Sequence, residues 1–180
     1  MAIRVGINGF GRMGKLGFRA GWGSPEYQIV HVNEIKGDAV CQAHLLEFDS
    51  VHGRWCQDQI SSRPDALIVA GQEVGFSMGA TLEEIDWGAK GIDIVVECTG
   101  RFKTAEALQP FFDQGVKKVV VSTPVPEPAL NLVYGVNDHL YDPDVHDIVT
   151  AASCTTNCLA PVVKVMHEKI GILRGSMTTI

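Results

Sequence analysis

Short apolar runs separated by amphipathic stretches set the rhythm of this chain. Ile3–Asn8 predicts a strand, Gly11–Trp22 follows with a helical period, and Gln28–Asn33 predicts a second strand. Asp38–Glu47 is expected to be helical, with Val40, Ala43 and Leu46 on its apolar face. Asp65–Ala70 and Glu73–Ser77 flank Gly71-Gln72 and predict a hairpin. Ile92–Cys98 is a continuous apolar run, the pattern of a strand covered on both faces. Thr104–Gln114 predicts a helix capped by Thr104 and stopped at Gly115. Lys117–Ser122, Leu130–Val136 and Ile148–Ala152 predict further strands, and a helix should begin near Ser153. Residues 166–180 are expected to give a helix end and one more strand.

Strand–helix alternation of this kind implies an α/β fold: a doubly wound, Rossmann-type parallel sheet with right-handed crossovers. The Pro-rich stretch Thr123–Pro128 falls at the carboxyl end of a strand, where ligands of open sheets gather. No repeat or low-complexity tract interrupts the pattern.

Composition narrows the class. A chain of 180 residues, 46% apolar and 20% charged, can bury a sizeable core as one large domain, or as one domain plus part of a second. Its formal net charge of −6 argues against a general nucleic-acid binder, which needs clustered Lys and Arg. Five cysteines, odd in number and without a CxxC pair, suggest neither a zinc site nor a disulfide framework. Met1-Ala2-Ile3-Arg4 runs straight into a strand, so no signal peptide is expected. No apolar stretch approaches the roughly 20 residues of a membrane span. The expectation is a soluble, cytoplasmic protein.

Two segments carry chemistry. Gly9-Phe10-Gly11-Arg12-Met13-Gly14 fits G-x-G-x-x-G between a strand and a helix, and Glu34 ends the next strand 20 residues after Gly14. That is the setting of a dinucleotide fingerprint: glycines for the tight turn, pyrophosphate over the helix N-terminus, and the acid on the ribose. The charge of Glu34 favours NAD over NADP, an effect that Lys36 softens. Thr99, Gly100 and Ser122 end two further strands and fall on the same rim, where ordinary turn chemistry is the competing explanation. Cys98 reads as a small buried hydrophobe.

The second segment is Ser153-Cys154-Thr155-Thr156-Asn157-Cys158. It places a cysteine where a strand gives way to a helix, and helix N-termini stabilise negative charge, hence the nucleophilic thiolate. Its polar neighbours supply donors rather than apolar packing, and Cys158 one turn on reads as a supporting residue. His52, in the loop Asp49–Trp55, and His31, His44, His139, His146 and His167 read as structural.

Three blocks now resemble the phosphorylating glyceraldehyde-3-phosphate dehydrogenase family: Val5–Arg12, Asp49–Arg54 and Ala152–Pro161. Their order and spacing agree along the whole chain. The resemblance implies an NAD-binding domain over 1–152 and the first helix and strand of a catalytic domain over 153–180. It implies that Cys154 attacks the aldehyde, that hydride passes to NAD, and that inorganic phosphate splits the resulting thioester. Ser153 and Thr155 would bind phosphate groups. Asn8, Gly9, Gly11, Arg12, Met13, Gly14, Asn33, Glu34, Thr99, Gly100 and Ser122 would form the cofactor groove, with no metal. Expected partners are a phosphorylated aldehyde, inorganic phosphate and sister subunits of a homotetramer, with neither nucleic acid nor membrane.

The pattern departs from the family in two ways. Glu34 stands where the family carries aspartate, a feature that also resembles erythrose-4-phosphate dehydrogenases and a branch thought to use arsenate in place of phosphate. His44–Trp55 looks closest to that arsenate branch. By the same resemblance, the catalytic histidine would directly follow Ile180 and the rest of the substrate domain would lie beyond it. The chain alone is therefore expected to bind NAD weakly, with negligible turnover. Competing readings are a nucleotide-binding module without chemistry and a redox sensor built on Cys154.

Overall fold

The computed structural model describes residues 2–179; Met1 and Ile180, which figure in the expectations above, lie outside them. The chain opens with β1 (Ile3–Asn8), α1 (Arg12–Gly21), β2 (Tyr27–Asn33) and α2 (Ala39–Glu47). A two-residue pair follows, β3 (Phe48–Asp49) and β4 (Gly53–Arg54), and then β5 (Ile60–Arg63), β6 (Ala66–Val69) and β7 (Gln72–Ser77). The second half contributes β8 (Ile94–Glu97), α3 (Ala105–Asp113), β9 (Lys118–Val121), β10 (Leu130–Asn131), β11 (Ile148–Thr150) and α4 (Cys154–Lys169).

One nine-stranded sheet runs in the order β10-β11-β9-β8-β1-β2-β7-β6-β5. Strands β10 through β7 are all parallel, and β6 and β5 extend the edge as antiparallel neighbours. The chain winds outward from β1 to β2 and β7, then returns to place β8 on the other side of β1. Strand order therefore reverses between β1 and β8, and the crevice at their carboxyl ends is where such sheets bind ligands.

Alternation along the strands feeds two cores on opposite faces. Val5 and Ile7 of β1 join Phe10, Phe18, Val32, Ala43 and Leu46 beneath α1 and α2. Val95 of β8 joins Trp87, Leu108, Phe111 and Val119 beneath α3. Thr104 caps α3 by accepting from the Ala107 N–H at 3.2 Å, and Gly115 ends it at φ +91°.

Several boundaries move from their expected positions, each for a physical reason. The buried stripe of α2 is Ala39, Gln42, Ala43 and Leu46, because Asp38 caps the helix from outside. Val40 falls one residue off that stripe and is exposed. The β6–β7 hairpin turns at Ala70-Gly71, both at positive φ, as a two-residue turn matching strand twist requires. The stretch 130–136 pairs only at Leu130–Asn131, since Asn137 then pins a turn by accepting from the Val133 N–H at 2.7 Å. The two faces of β8 are covered unequally: Val95 is fully buried, whereas Ile94, Val96 and Cys98 are partly buried against the other core and border an apolar groove of about 260 Å³ with Ile3, Val5 and Val120. Residues 171–179 form no strand, because no described strand lies beside them to pair. None of the described helices is long and apolar enough to cross a membrane.

Candidate functional site

Parallel pairing sets the carboxyl ends of β11, β9, β8, β1 and β2 in a row along one edge. Cys154 follows the first, Ser122 the second, Thr99 and Gly100 the third, Gly9–Gly14 the fourth and Glu34 the fifth. Four inter-strand spacings, about 19 Å, separate the two extremes. A cleft of about 380 Å³ occupies the middle of this edge, lined by Asn8, Gly9, Gly11, Asn33, Glu34 and Thr99 among others.

The glycine turn fits a pyrophosphate. Gly9 sits at φ +88°, and a side chain there would strike the Thr99 backbone nitrogen at 2.6 Å. At Gly14 a Cβ would lie 2.2 Å from the Gly9 carbonyl oxygen, so only glycine lets α1 approach the turn this closely. The Gly11 position is open, leaving the start of α1 accessible to a ligand's charge. Glu34 accepts from the Lys36 N–H at 3.1 Å, which turns its carboxylate along the cleft wall.

Beneath the cleft lies a buried polar chain that motif reasoning did not reveal. Glu97 is fully buried, and its carboxylate accepts from Asn8 Nδ2 at 2.6 Å, from the Thr99 N–H at 2.7 Å and from the Thr99 hydroxyl. Burial pushes the Glu97 carboxyl above the ordinary range, and the Thr99 and Asn8 hydrogen bonds pull it back partway. Asn33 Nδ2 donates to Asn8 Oδ1 at 2.8 Å, so both asparagine amides bond to protein partners and form the floor of the cleft. His31, also buried, is pushed down to about 4 by desolvation and by the charge of Lys90, and is neutral at physiological pH.

Other expected groove residues lie apart. Arg12 turns away from the cleft and pairs with Asp49 at 3.0 Å. Backbone N–H groups of His52 and Val51 hold the Asp49 carboxyl well below the usual carboxylate range, aided by the His52 side chain and Arg12. Met13 is exposed, Gly14 is buried under the turn, and Gly100 and Ser122 border the rim without lining the cleft. Lys36, expected near the ribose end, lines it, and so do Ile35, Gly79–Leu82, Arg101 and Phe102, which were not anticipated. The signal for Gly79–Leu82 was present: the loop follows a predicted strand, but only the β2–β7 pairing places it beside Glu34.

Cys154 is the first residue of α4 and is exposed. Ala152, two residues before it, is held at φ +54°, a conformation that costs a non-glycine residue on the order of 1 kcal/mol and points to a constrained turn. Ser153 caps the helix by accepting from the Thr156 N–H at 3.0 Å, and its hydroxyl also reaches Thr155 Oγ1 at 3.0 Å. Asn157 ties the helix back by donating to the Ala151 and Ser153 carbonyls. Cys98, by contrast, is half-buried, and desolvation pushes its thiol up to about 11, with the Ser122 side chain opposing.

A switch-point cleft at a glycine turn, with an acidic residue at the end of the neighbouring strand, defines a dinucleotide-binding domain of the doubly wound α/β class. Comparison with known proteins carries this further. Residues 3–105 match the family model for the NAD binding domain of glyceraldehyde 3-phosphate dehydrogenase, and residues 153–180 match the model for its C-terminal domain. The chain belongs to the glyceraldehyde 3-phosphate dehydrogenase family. It is 54% identical over 180 residues to glyceraldehyde-3-phosphate dehydrogenase 3 of Nostoc sp., covering all of this chain and 53% of the relative. Identity is 47% over the same span to the glyceraldehyde-3-phosphate dehydrogenase of Geobacillus stearothermophilus, and 44% to glyceraldehyde-3-phosphate dehydrogenase 1 of Bacillus subtilis, each covered to 53%. The chain thus spans about half the length of the curated relatives it matches.

Proposed function

We propose that this chain supplies the cofactor domain and the nucleophile of an enzyme that oxidises glyceraldehyde 3-phosphate to an acyl phosphate with NAD. The observation that carries the reading is the shared sheet edge, with the glycine-turn cleft at β1/β8 and Cys154 following β11. In this reading Cys154 Sγ attacks the aldehyde carbon, and the developing oxyanion is met by backbone N–H groups at the start of α4. The resulting thiohemiacetal carbon gives up its hydride, its hydroxyl loses a proton, and a thioester remains on Cys154. Bound NAD supplies the hydride acceptor. Inorganic phosphate then attacks the thioester carbonyl, forming the acyl phosphate and releasing the Cys154 thiolate.

Residues 1–152 serve as the NAD domain and 153–180 as the start of the catalytic domain, a division supported by the family match that begins at 153. Glu34 binds the ribose hydroxyls, and Gly9, Gly11 and Gly14 admit the pyrophosphate. Ser153 and Thr155 present hydroxyls beside the nucleophile for phosphate.

The test is NADH formation from glyceraldehyde 3-phosphate and phosphate by the full-length protein. Turnover that disappears in Cys154→Ala while NAD binding persists supports the reading. Undiminished turnover in that variant, or a strong preference for erythrose 4-phosphate as substrate or for arsenate as acceptor, overturns it.

A further inference from the structure

The buried chain beneath the cleft continues past the asparagines. Ser77 Oγ donates to Asn33 Oδ1 at 2.9 Å, and His31 Nε2 lies 2.8 Å from the same Ser77 oxygen. Since the Ser77 proton is spent on Asn33, His31 must donate, which fixes its neutral form with the proton on Nε2. Asn33 in turn clasps Gly79 on both sides: Oδ1 accepts from the Gly79 N–H at 2.9 Å, and Nδ2 donates to the Gly79 carbonyl at 3.0 Å. Gly79 opens the stretch Gly79–Leu82 that forms one wall of the cleft beside Glu34.

Every amide in this chain has one orientation. From one end, the Glu97 carboxylate accepts only, so Asn8 presents Nδ2 to it and Oδ1 to Asn33. From the other end, His31 donates to Ser77, and Ser77 donates to Asn33. The Gly79 N–H and carbonyl demand the same orientation of Asn33 as Asn8 does, and that orientation in turn sets the Ser77 hydroxyl and the His31 proton. The backbone makes room for this: Gly75 faces His31 across the β2–β7 pair, and a Cβ there would lie 2.6 Å from His31 Nδ1. His31 also packs edge-on against buried Trp87, with ring centroids 5.9 Å apart.

We propose that His31 and Ser77 are positioning residues for the nucleotide cleft: acting through Asn33, they fix the Gly79–Leu82 wall and thereby the affinity for the adenosine half of NAD. This rests on assigning the cleft to NAD. Neither residue lines the cleft.

The experiment titrates NAD into the full-length protein by calorimetry, for wild type, Ser77→Ala, Ser77→Thr, His31→Leu and His31→Gln. Amide hydrogen exchange at Gly79 is followed in parallel. Ser77→Ala and His31→Leu should each weaken NAD binding about fivefold, the worth of one hydrogen bond, and speed exchange at Gly79 while β1 and β8 amides keep their protection. Ser77→Thr keeps the hydroxyl and His31→Gln keeps a donor, so both should restore affinity to within about twofold. Unchanged affinity in Ser77→Ala and His31→Leu overturns the proposal, as does a loss that Ser77→Thr fails to rescue, because volume rather than the hydrogen bond would then be at work. Absence of NAD binding by the wild-type chain would overturn the cofactor assignment itself and this proposal with it.

Discussion

The glycine turn and the cysteine helix stand on the same edge of one sheet, and they are held there by different means. Helix α1 buries Phe18 completely, against Phe10, Trp22 and Trp55. The cleft it opens is floored by a polar chain whose members are fixed by one another. Helix α4, by contrast, buries none of its residues; Leu159, Val162 and Val165 are exposed along it. Its first turn is fixed locally, by the Ser153 cap, the Asn157 ties and the strained Ala152.

Substitution separates the two regimes most sharply. Phe18→Ala should cost about 3–5 kcal/mol in denaturant unfolding, the range for emptying a closed aromatic site. Leu159→Ala should change the same measurement by less than about 0.5 kcal/mol. A comparable loss at Leu159 would mean that α4 is packed into the fold.

The thiols give the next contrast. Because Cys98 is raised to about 11, iodoacetamide should label it about a hundredfold more slowly near neutral pH than a free thiol of ordinary pKa. Cys154, exposed at the tip of its helix, should be labelled first, as peptide mapping of the modified chain would show. Equal labelling of the two would erase the distinction.

Acid should act on the cleft floor. His31 is held at about 4, below the value of about 6.5 in an unfolded chain, so the unfolded state takes up its proton first. Stability is therefore full above about pH 6.5 and is lost as pH falls toward 4, by up to about 1.4 kcal/mol per pH unit. Glu97, raised by burial, acts with the opposite sign in acid, so the difference between wild type and His31→Gln isolates the imidazole. Unfolding curves at several pH values that stay parallel for the two proteins would contradict this. The cap of α4 gives a modest effect: Ser153→Ala should lower helix content and stability by about 1 kcal/mol, read by circular dichroism.

Much of this was legible in the residues. The G-x-G-x-x-G turn with Glu34 on the next strand named the cleft, because glycine spacing and one acid are local demands of a pyrophosphate and a ribose. Ser153-Cys154 named the helix start, because a cap is a contact between near neighbours. Val40 was misplaced for the same local reason: capping by Asp38 shifts the stripe by one residue, and periodicity alone does not say which residue is the cap.

What the chain determines by itself is thus whatever acts across a few residues: the strands, the capped helices, the glycine turn and the exposed thiol. Tertiary structure decided the rest. Only the β2–β7 pairing brings Gly79–Leu82 to the cleft, and only the order β8-β1-β2-β7 lines up Glu97, Asn8, Asn33, Ser77 and His31 into one hydrogen-bonded floor. Those partners lie between 25 and 89 positions apart in sequence where strands meet side by side, so no local period could announce them.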